Sequence, residues 1–314
     1  MSRSSYQQSI FTLPNRIVTE GSQAWAVPLG EVVGLVESSD ISFPSQGCIF
    51  QIAHCGSTLL SRALDYPSRS LVIRESFALR QFTATPPSAN PSQNKDRQRA
   101  LCALWHLLGR QYQSSEVVLL KANVPVNYSL PEIIEIAPGM SGILLYSTFE
   151  SYLLAALKSV ERRQWANYVV REMAPRIRSI AGFESIDFES LGDGQAAAVL
   201  WLSQIAMFEA AIKNNAALRA LCSDTLYTTP QQVLEASAKH LNISLVEPEI
   251  EQIVISDLFS RHAKMPEQEY SAEQRAIEDK QLTQQYQSEI SEVKLWCEKG
   301  KFNTETSLCD HSIV

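Results

Sequence analysis

The chain is short of the features that usually assign a protein at sight. Its six cysteines (48, 55, 102, 222, 297 and 309) form no C-x-x-C pair, so neither a zinc cluster nor a dithiol redox site is indicated. Excess positive charge is missing. The net charge of −7 argues against a general nucleic-acid or anionic-membrane binder, although a single anion site can be locally basic. The N-terminus, Met1 to Gln8, has no apolar h-region of a secretory signal. The most apolar stretch, Ala196 to Leu221, is broken by Gln204, Glu209, Lys213 and Arg219. That spacing suits a buried amphipathic helix better than a membrane span. No H-E-x-x-H helix, EF-hand loop or Ser-His-Asp order is present. A reducing cytoplasm, no membrane, no nucleic acid and no metal are the simplest expectations.

What remains is the pattern of a globular enzyme-sized chain. Its 314 residues make one large domain or two small ones, and 45% hydrophobic residues support a sizeable core. Short apolar runs at 48–53, 71–74, 116–121 and 142–146 alternate with helical periodicity at 58–65, 95–113 and 150–165. Such alternation predicts an α/β fold, a three-layer parallel sheet with helices on both faces. Two more helices are expected at 195–221 and 230–241, the second opened by Thr229-Pro230. A further helical pattern runs from Ser271 to Trp296. Residues 83–94 carry three prolines and no large apolar side chain, and read as a surface loop near the site. No repeat and no clear boundary divides the chain. It is read as one domain, with an N-terminal extension at 1–46 containing short strands (Ala24 to Val27, Val32 to Val36), an α/β core at 47–265 and a helical tail at 266–314.

The most informative stretch runs from Gly47 to Arg62 and reads as a buried strand, a tight turn and a helix start. The turn His54-Cys55-Gly56-Ser57-Thr58 is small and polar. Backbone N–H groups in such a turn make an anion site, with phosphate the usual occupant. It is not a Walker A loop, since that lysine is missing, and it is not the G-x-G-x-x-G dinucleotide fingerprint. A second strand, Glu116 to Leu120, ends in Lys121 and is followed by Asn123, Pro125 and then Leu130-Pro131. A lysine ending a buried strand sits where open α/β sheets bind ligands. Glu75 follows the run Leu71 to Arg74 and belongs at the same edge. Arg74 or Arg80 is available to pair with it.

Taken together, Ala53 to Leu60 resemble the phosphosulfate-binding loop of sulfotransferases, P-[KR]-S-G-T-T-x-L, with His54 at the basic position and Ala53 at the proline. Lys121 to Pro125 resemble the K-T-H-x-P segment of the cytosolic members, with Asn123 at the histidine. The likeness is to bacterial sulfotransferase-family proteins and spans about residues 46–265. It implies a P-loop nucleoside-triphosphatase-like topology and transfer of a sulfuryl group from 3′-phosphoadenosine-5′-phosphosulfate (PAPS) to a hydroxyl or amine of a small molecule or glycan. In that reading His54, Cys55, Gly56, Ser57 and Thr58 cradle the 5′-phosphosulfate. Lys121, with His54, neutralises charge at the bridging oxygen, and Glu75 takes the acceptor proton, because the amide of Asn123 cannot.

The family's 3′-phosphate motif, R-x-P-x-D-x-x-x-S, is replaced by Tyr146 to Leu154, which offers only the hydroxyls of Ser147, Thr148 and Ser151. Its cations would come from Arg162-Arg163 or from Arg261 and Lys264, where the family often has R-K-G. The stripe Trp165, Tyr168, Trp201 and Phe208 is either core or the lining of an acceptor pocket. Two other functions stay open: a nucleotide-dependent kinase on the same fold, which needs a carboxylate for Mg²⁺ near Ser57 or Thr58, and a non-catalytic nucleotide- or anion-binding protein.

Overall fold

A computed structural model describes residues 2–9, 11–12, 26–39, 47–114, 116–262, 265–269 and 272–314. Five strands form one sheet: β1 (Gly47–Gln51), β2 (Ser70–Arg74), β3 (Val117–Lys121), β4 (Ser141–Tyr146) and β5 (Leu218–Cys222). Their order is β2-β3-β1-β4-β5 and every pairing is parallel. All residues of β1 and β2 are buried, as are all but the first of β3 and β4. Because side chains alternate between faces, this burial requires cover on both. Helices supply it, and the expected three-layer α/β architecture follows. A small antiparallel ribbon, β6 (Arg261–His262) with β7 (Met265–Glu269), stands apart from the sheet.

The four expected strands are present within a residue or two, and the fifth is a correction. The helix expected over 195–221 ends at Asn214, and its last residues become β5, joined to β4 in the register Leu144 to Ala220. The helical pattern and the strand are both continuous apolar runs, and periodicity does not separate them. The helix Asp193–Asn214 is long and apolar enough to cross a membrane, yet it is mostly buried, with Ala196 to Ile205 inaccessible on every face. A helix apolar all round belongs in a core.

Other differences are local. The helix expected at 150–165 is two helices, Phe149–Leu157 and Val160–Glu172, the second capped by Ser159. The loop expected at 83–94 shrinks to 85–90, between the helices Phe77–Ala84 and Pro91–Leu108, and none of it lines the cavities described below. Asn90 caps the second helix and Pro91 starts it, so this proline opens a helix and does not break one. Val32 to Val36 belongs to a helix, Leu29–Ser38, not a strand. Of the other expected strand, residues 24 and 25 lie outside the described residues, and 26–28 carry no strand.

Buried charge is organised in pairs. Arg74, at the end of β2, is 3% exposed. It pairs with Asp65 and donates to the carbonyls of Gln7 (3.3 Å) and Ser9 (3.2 Å). It therefore turns away from Glu75, and the ion pair expected between these neighbours does not form. Burial pushes the Asp65 carboxyl up from its ordinary range, with Arg74 opposing that shift. Removing one member of such a pair leaves the other charge buried and unmatched. Asp65→Asn is expected to lower stability by about 3–5 kcal/mol, read from the midpoint of urea unfolding.

Candidate functional site

The loop after β1 is built on strained backbone. Ala53 (φ 71°), His54 (φ 54°) and Gly56 (φ 81°) all lie in the left-handed region, and so does Glu75 (φ 54°) at the end of β2. Only one of these four is a glycine. Left-handed backbone costs a non-glycine residue about 1–2 kcal/mol, and such residues gather at functional sites. A buried amide network holds the loop down. The Ala53 N–H donates to Gln51 Oε1 (2.6 Å), Gln51 Nε2 donates to the Ala122 carbonyl (3.4 Å), and Asn127 Nδ2 donates to the Gln51 carbonyl (2.9 Å) and to Gln204 Oε1 (2.6 Å).

Gly56 then caps the helix Ser57–Ala63. A Cβ there would lie 3.1 Å from both Leu226 Cδ2 and the Tyr227 hydroxyl, so space as well as φ calls for glycine. Cys55 is wholly buried beneath the loop, where burial pushes its thiol up to about 11. It stays a thiol at neutral pH, and, unlike its neighbours His54, Gly56, Ser57 and Thr58, it lines neither of the cavities described below.

Lys121 is the central cation. It ends β3 in register with Ile49 of β1 and Arg74 of β2, and is 1% exposed. The expected alternative, a solvated surface lysine, does not hold. Its Nζ lies 2.5 Å from Glu75 Oε1 and donates to Thr58 Oγ1 at 3.3 Å. The N–H of Glu75 donates to the Lys121 carbonyl at 2.8 Å, which carries β3 pairing one residue past the end of β2. Glu75 and Lys121, chosen from two strands of sequence, are thus direct partners, and the phosphate-loop hydroxyl of Thr58 joins them.

Two cavities meet at this loop. One, of about 140 Å³, is lined by His54, Gly56, Ser57, Thr58, Ser147, Ser151, Lys158, Arg162, Tyr227 and Arg275 among others. The second, of about 480 Å³, is lined by Glu75, Asn123, Trp165, Phe11, Arg80, Val124 and Pro125, again with His54, Ser57 and Arg162. His54, Ser57 and Arg162 therefore form a common wall. His54 packs edge-on against Trp165 with ring centroids 5.6 Å apart. Asn123 is 6% exposed and its Oδ1 has no hydrogen-bond partner. An amide left so inside a cavity wall is ready for a ligand donor.

The remaining expected residues divide. Ser147 and Ser151 line the smaller cavity, while Thr148 caps the helix Phe149–Leu157. Arg162 reaches the site, but Arg163 is bound through two nitrogens to Glu289 (2.6 and 2.9 Å). Arg261 is a correction: it is exposed, paired with Asp257 at 3.2 Å, and lines neither cavity. Lys264 lies outside the described residues. Of the aromatic stripe, Trp165 lines the larger cavity, Trp201 and Phe208 are fully buried core, and Tyr168 is exposed. Arg80 pairs with Glu172 at 2.7 Å, not with Glu75.

Three contributors escaped sequence reasoning. Lys158 and Arg275 carry no motif, and Phe11 comes from an extension with no visible chemistry. Its ring lies 5.7 Å from Lys121 Nζ. Thr12 holds that segment against β2 through the Arg74 carbonyl (2.8 Å), an edge contact that no local pattern announces.

Comparison with known proteins came out as follows. No protein-family model and no curated protein matches the sequence. Among solved structures, the chain is similar to a sulfotransferase domain from the curacin biosynthetic pathway, with TM-score 0.46 and 15% identity over 84% of this chain and 99% of that one. It is also similar to the sulfotransferase STF9 from Mycobacterium avium, with TM-score 0.45 and 11% identity over 82% of this chain and 81% of that one.

The left-handed glycine offers a direct check on the loop. Gly56→Ala is expected to cost about 1–2 kcal/mol in urea unfolding. Unchanged stability would mean that the loop relaxes without consequence.

Proposed function

We propose that this chain is a sulfotransferase-like transferase that moves a sulfuryl group from PAPS to a hydroxyl or amine of a small molecule or glycan. One observation carries the reading: Lys121, buried just behind the two cavities, is bonded both to Glu75, which lines the larger one, and to Thr58, which lines the smaller. Group transfer needs a donor and an acceptor brought together on opposite sides of one reacting atom, with charge stabilised between them.

The smaller cavity takes the donor. Amides of residues 54–58 and the hydroxyls of Ser57 and Thr58 receive its 5′-phosphosulfate, while Lys158, Arg162, Arg275, Ser147 and Ser151 supply charge and donors for the rest. The larger cavity takes the acceptor beside Trp165, with Asn123 orienting its nucleophile by a hydrogen bond. The acceptor oxygen or nitrogen attacks sulfur. The bond from sulfur to the bridging oxygen breaks, and its electron pair leaves with adenosine 3′,5′-bisphosphate. Lys121 swings from Glu75 toward that oxygen and neutralises it. Glu75, released, takes the acceptor proton. His54, half-buried in the common wall, lends a donor at the sulfuryl oxygens.

A second reading rests on Glu278 and Asp279, carboxylates that line the same cavity as Ser57 and Thr58. They are the acidic groups a Mg²⁺-dependent phosphoryl transfer would need. Lys158 already pairs with Glu278, and Arg275 with Asp279 at 3.7 Å, so both are engaged as counter-ions.

Thermal shift with adenosine 3′,5′-bisphosphate, ATP–Mg²⁺ and GTP–Mg²⁺ separates the readings. Stabilisation by the bisphosphate alone is expected. Stabilisation only by a triphosphate with Mg²⁺ supports the kinase, and no shift with any of them supports loss of nucleotide binding. Glu75→Gln is expected to lower kcat for sulfuryl transfer by about 100-fold or more, the usual share of a general base, with the bisphosphate still bound. Full activity in both Glu75→Gln and Lys121→Ala would overturn the assignment.

A further inference from the structure

The helix Ala272–Lys299 is deeply buried at one end only. From Glu273 through Glu289 no residue is buried, whereas Ile290, Val293 and Cys297 are. Val293 packs so closely on Gly194 that a Cβ there would lie 2.4 Å from its Cγ2. The back half is thus held by apolar packing. The front half overhangs the smaller cavity, to which it contributes Arg275, Glu278, Asp279 and Leu282. It is held there by partly buried Leu282 and Tyr286 and by charge: Glu278 pairs with Lys158 on the core, and Arg275 pairs with Asp224 at 3.0 Å while stacking on Tyr227 at 4.1 Å. These side chains are partly exposed, with 31% and 30% for Lys158 and Glu278, and 15% and 50% for Arg275 and Asp224. Ion pairs of this kind are individually weak and exchange partners readily.

The consequence for the cavity is specific. Two of its three lining cations, Lys158 and Arg275, already hold a carboxylate of the chain itself. A phosphate group entering the cavity competes for the same nitrogens. It brings more charge per oxygen and takes Arg in two-point contact. Once Lys158 leaves Glu278, the front of the helix loses one of the ties that run from it to the core.

We propose that Glu278 and Asp224 are built-in competitors for the donor's phosphates, so that the front half of the Ala272–Lys299 helix is a latch whose ionic ties pass from the protein's own carboxylates to the anionic ligand. The proposal rests on reading the smaller cavity as the donor site. It accounts for Glu278, a carboxylate lining a cavity that otherwise suits an anion. It also explains why the helix divides into an ionic half over the cavity and an apolar half on the core.

The test is calorimetric titration with adenosine 3′,5′-bisphosphate at low ionic strength on the full chain, comparing the parent with Glu278→Gln, Asp224→Asn and Glu289→Gln. Removing a competitor is expected to tighten binding about two- to fivefold in each of the first two variants, the size of one exposed ion pair. Glu289→Gln removes equal charge from the same helix, but its partner Arg163 lies outside the cavity lining. Its affinity is expected to equal the parent's. If the parent binds but Glu278→Gln and Asp224→Asn bind no tighter, the latch is wrong and the donor site stands. Equal tightening in Glu289→Gln also overturns it, since net charge would then explain the gain. If neither parent nor any variant binds the bisphosphate, the donor reading falls and the latch with it.

Discussion

A lysine that is 1% exposed must be matched where it stands, and much of this site follows from matching Lys121. Burying an unpaired ammonium is among the costliest events in a fold. The partner has to come from a neighbouring element, and Glu75 supplies it from the end of β2, 2.5 Å away. To reach back over β3, Glu75 turns into left-handed backbone, and the ladder hydrogen bond from its N–H to the Lys121 carbonyl holds it there. Thr58 offers the ammonium a second acceptor, which fixes the start of the loop helix relative to β3. Phe11 covers the remaining side. One cation thereby ties together β2, β3, the phosphate loop and the N-terminal segment.

The polar layer beneath the loop solves a different problem. Ala53 and His54 have no conformational licence for positive φ, and something must hold them. Gln51 does so from inside β1 by accepting the Ala53 N–H, with Asn127 and Gln204 completing its surroundings. The three amides are 0–4% exposed and come from a strand, a short 3₁₀ turn and the core helix Asp193–Asn214. The network carries a cost, because Asn127 Oδ1 is buried with no hydrogen-bond partner. Its presence under strained backbone means that the loop shape is specified from below, by the core, and not by its own composition.

The parallel sheet was legible because four of its strands are apolar on nearly every residue and alternate with helical periods. The fifth was not, because Leu218 to Cys222 follows a core helix of the same hydrophobicity, with only Asn215 to mark the turn. At the site, Gly56, Ser57, Thr58, Glu75 and Lys121 were readable, since each sits at a strand end where side chains converge whatever the loops do. Arg74 misled. Next to Glu75 in sequence, it faces the opposite way, as alternation along a strand demands, and meets Asp65. Lys158, Arg275 and Phe11 were invisible because what brings them in is tertiary packing: a helix break after Leu157, a tail helix laid against the helices Phe149–Leu157 and Asp193–Asn214, and an N-terminal segment added beside β2. Arg261 has the right residue type for the second phosphate, but a nearby Asp257 holds it in solvent.

The common wall of His54, Ser57 and Arg162 carries a consequence for how such a site can change. A substitution on any of these three alters two ligand environments at once, so neither ligand's affinity can be tuned through them independently. Trp165, Val124 and Val169 face only the larger cavity, and Tyr227 and Leu282 only the smaller. Substitution therefore has free play along one rim, toward the helix Val160–Glu172, while the partition itself is pinned by both neighbours. Diversity among relatives that share this architecture should concentrate on that helix and be sparse at the partition.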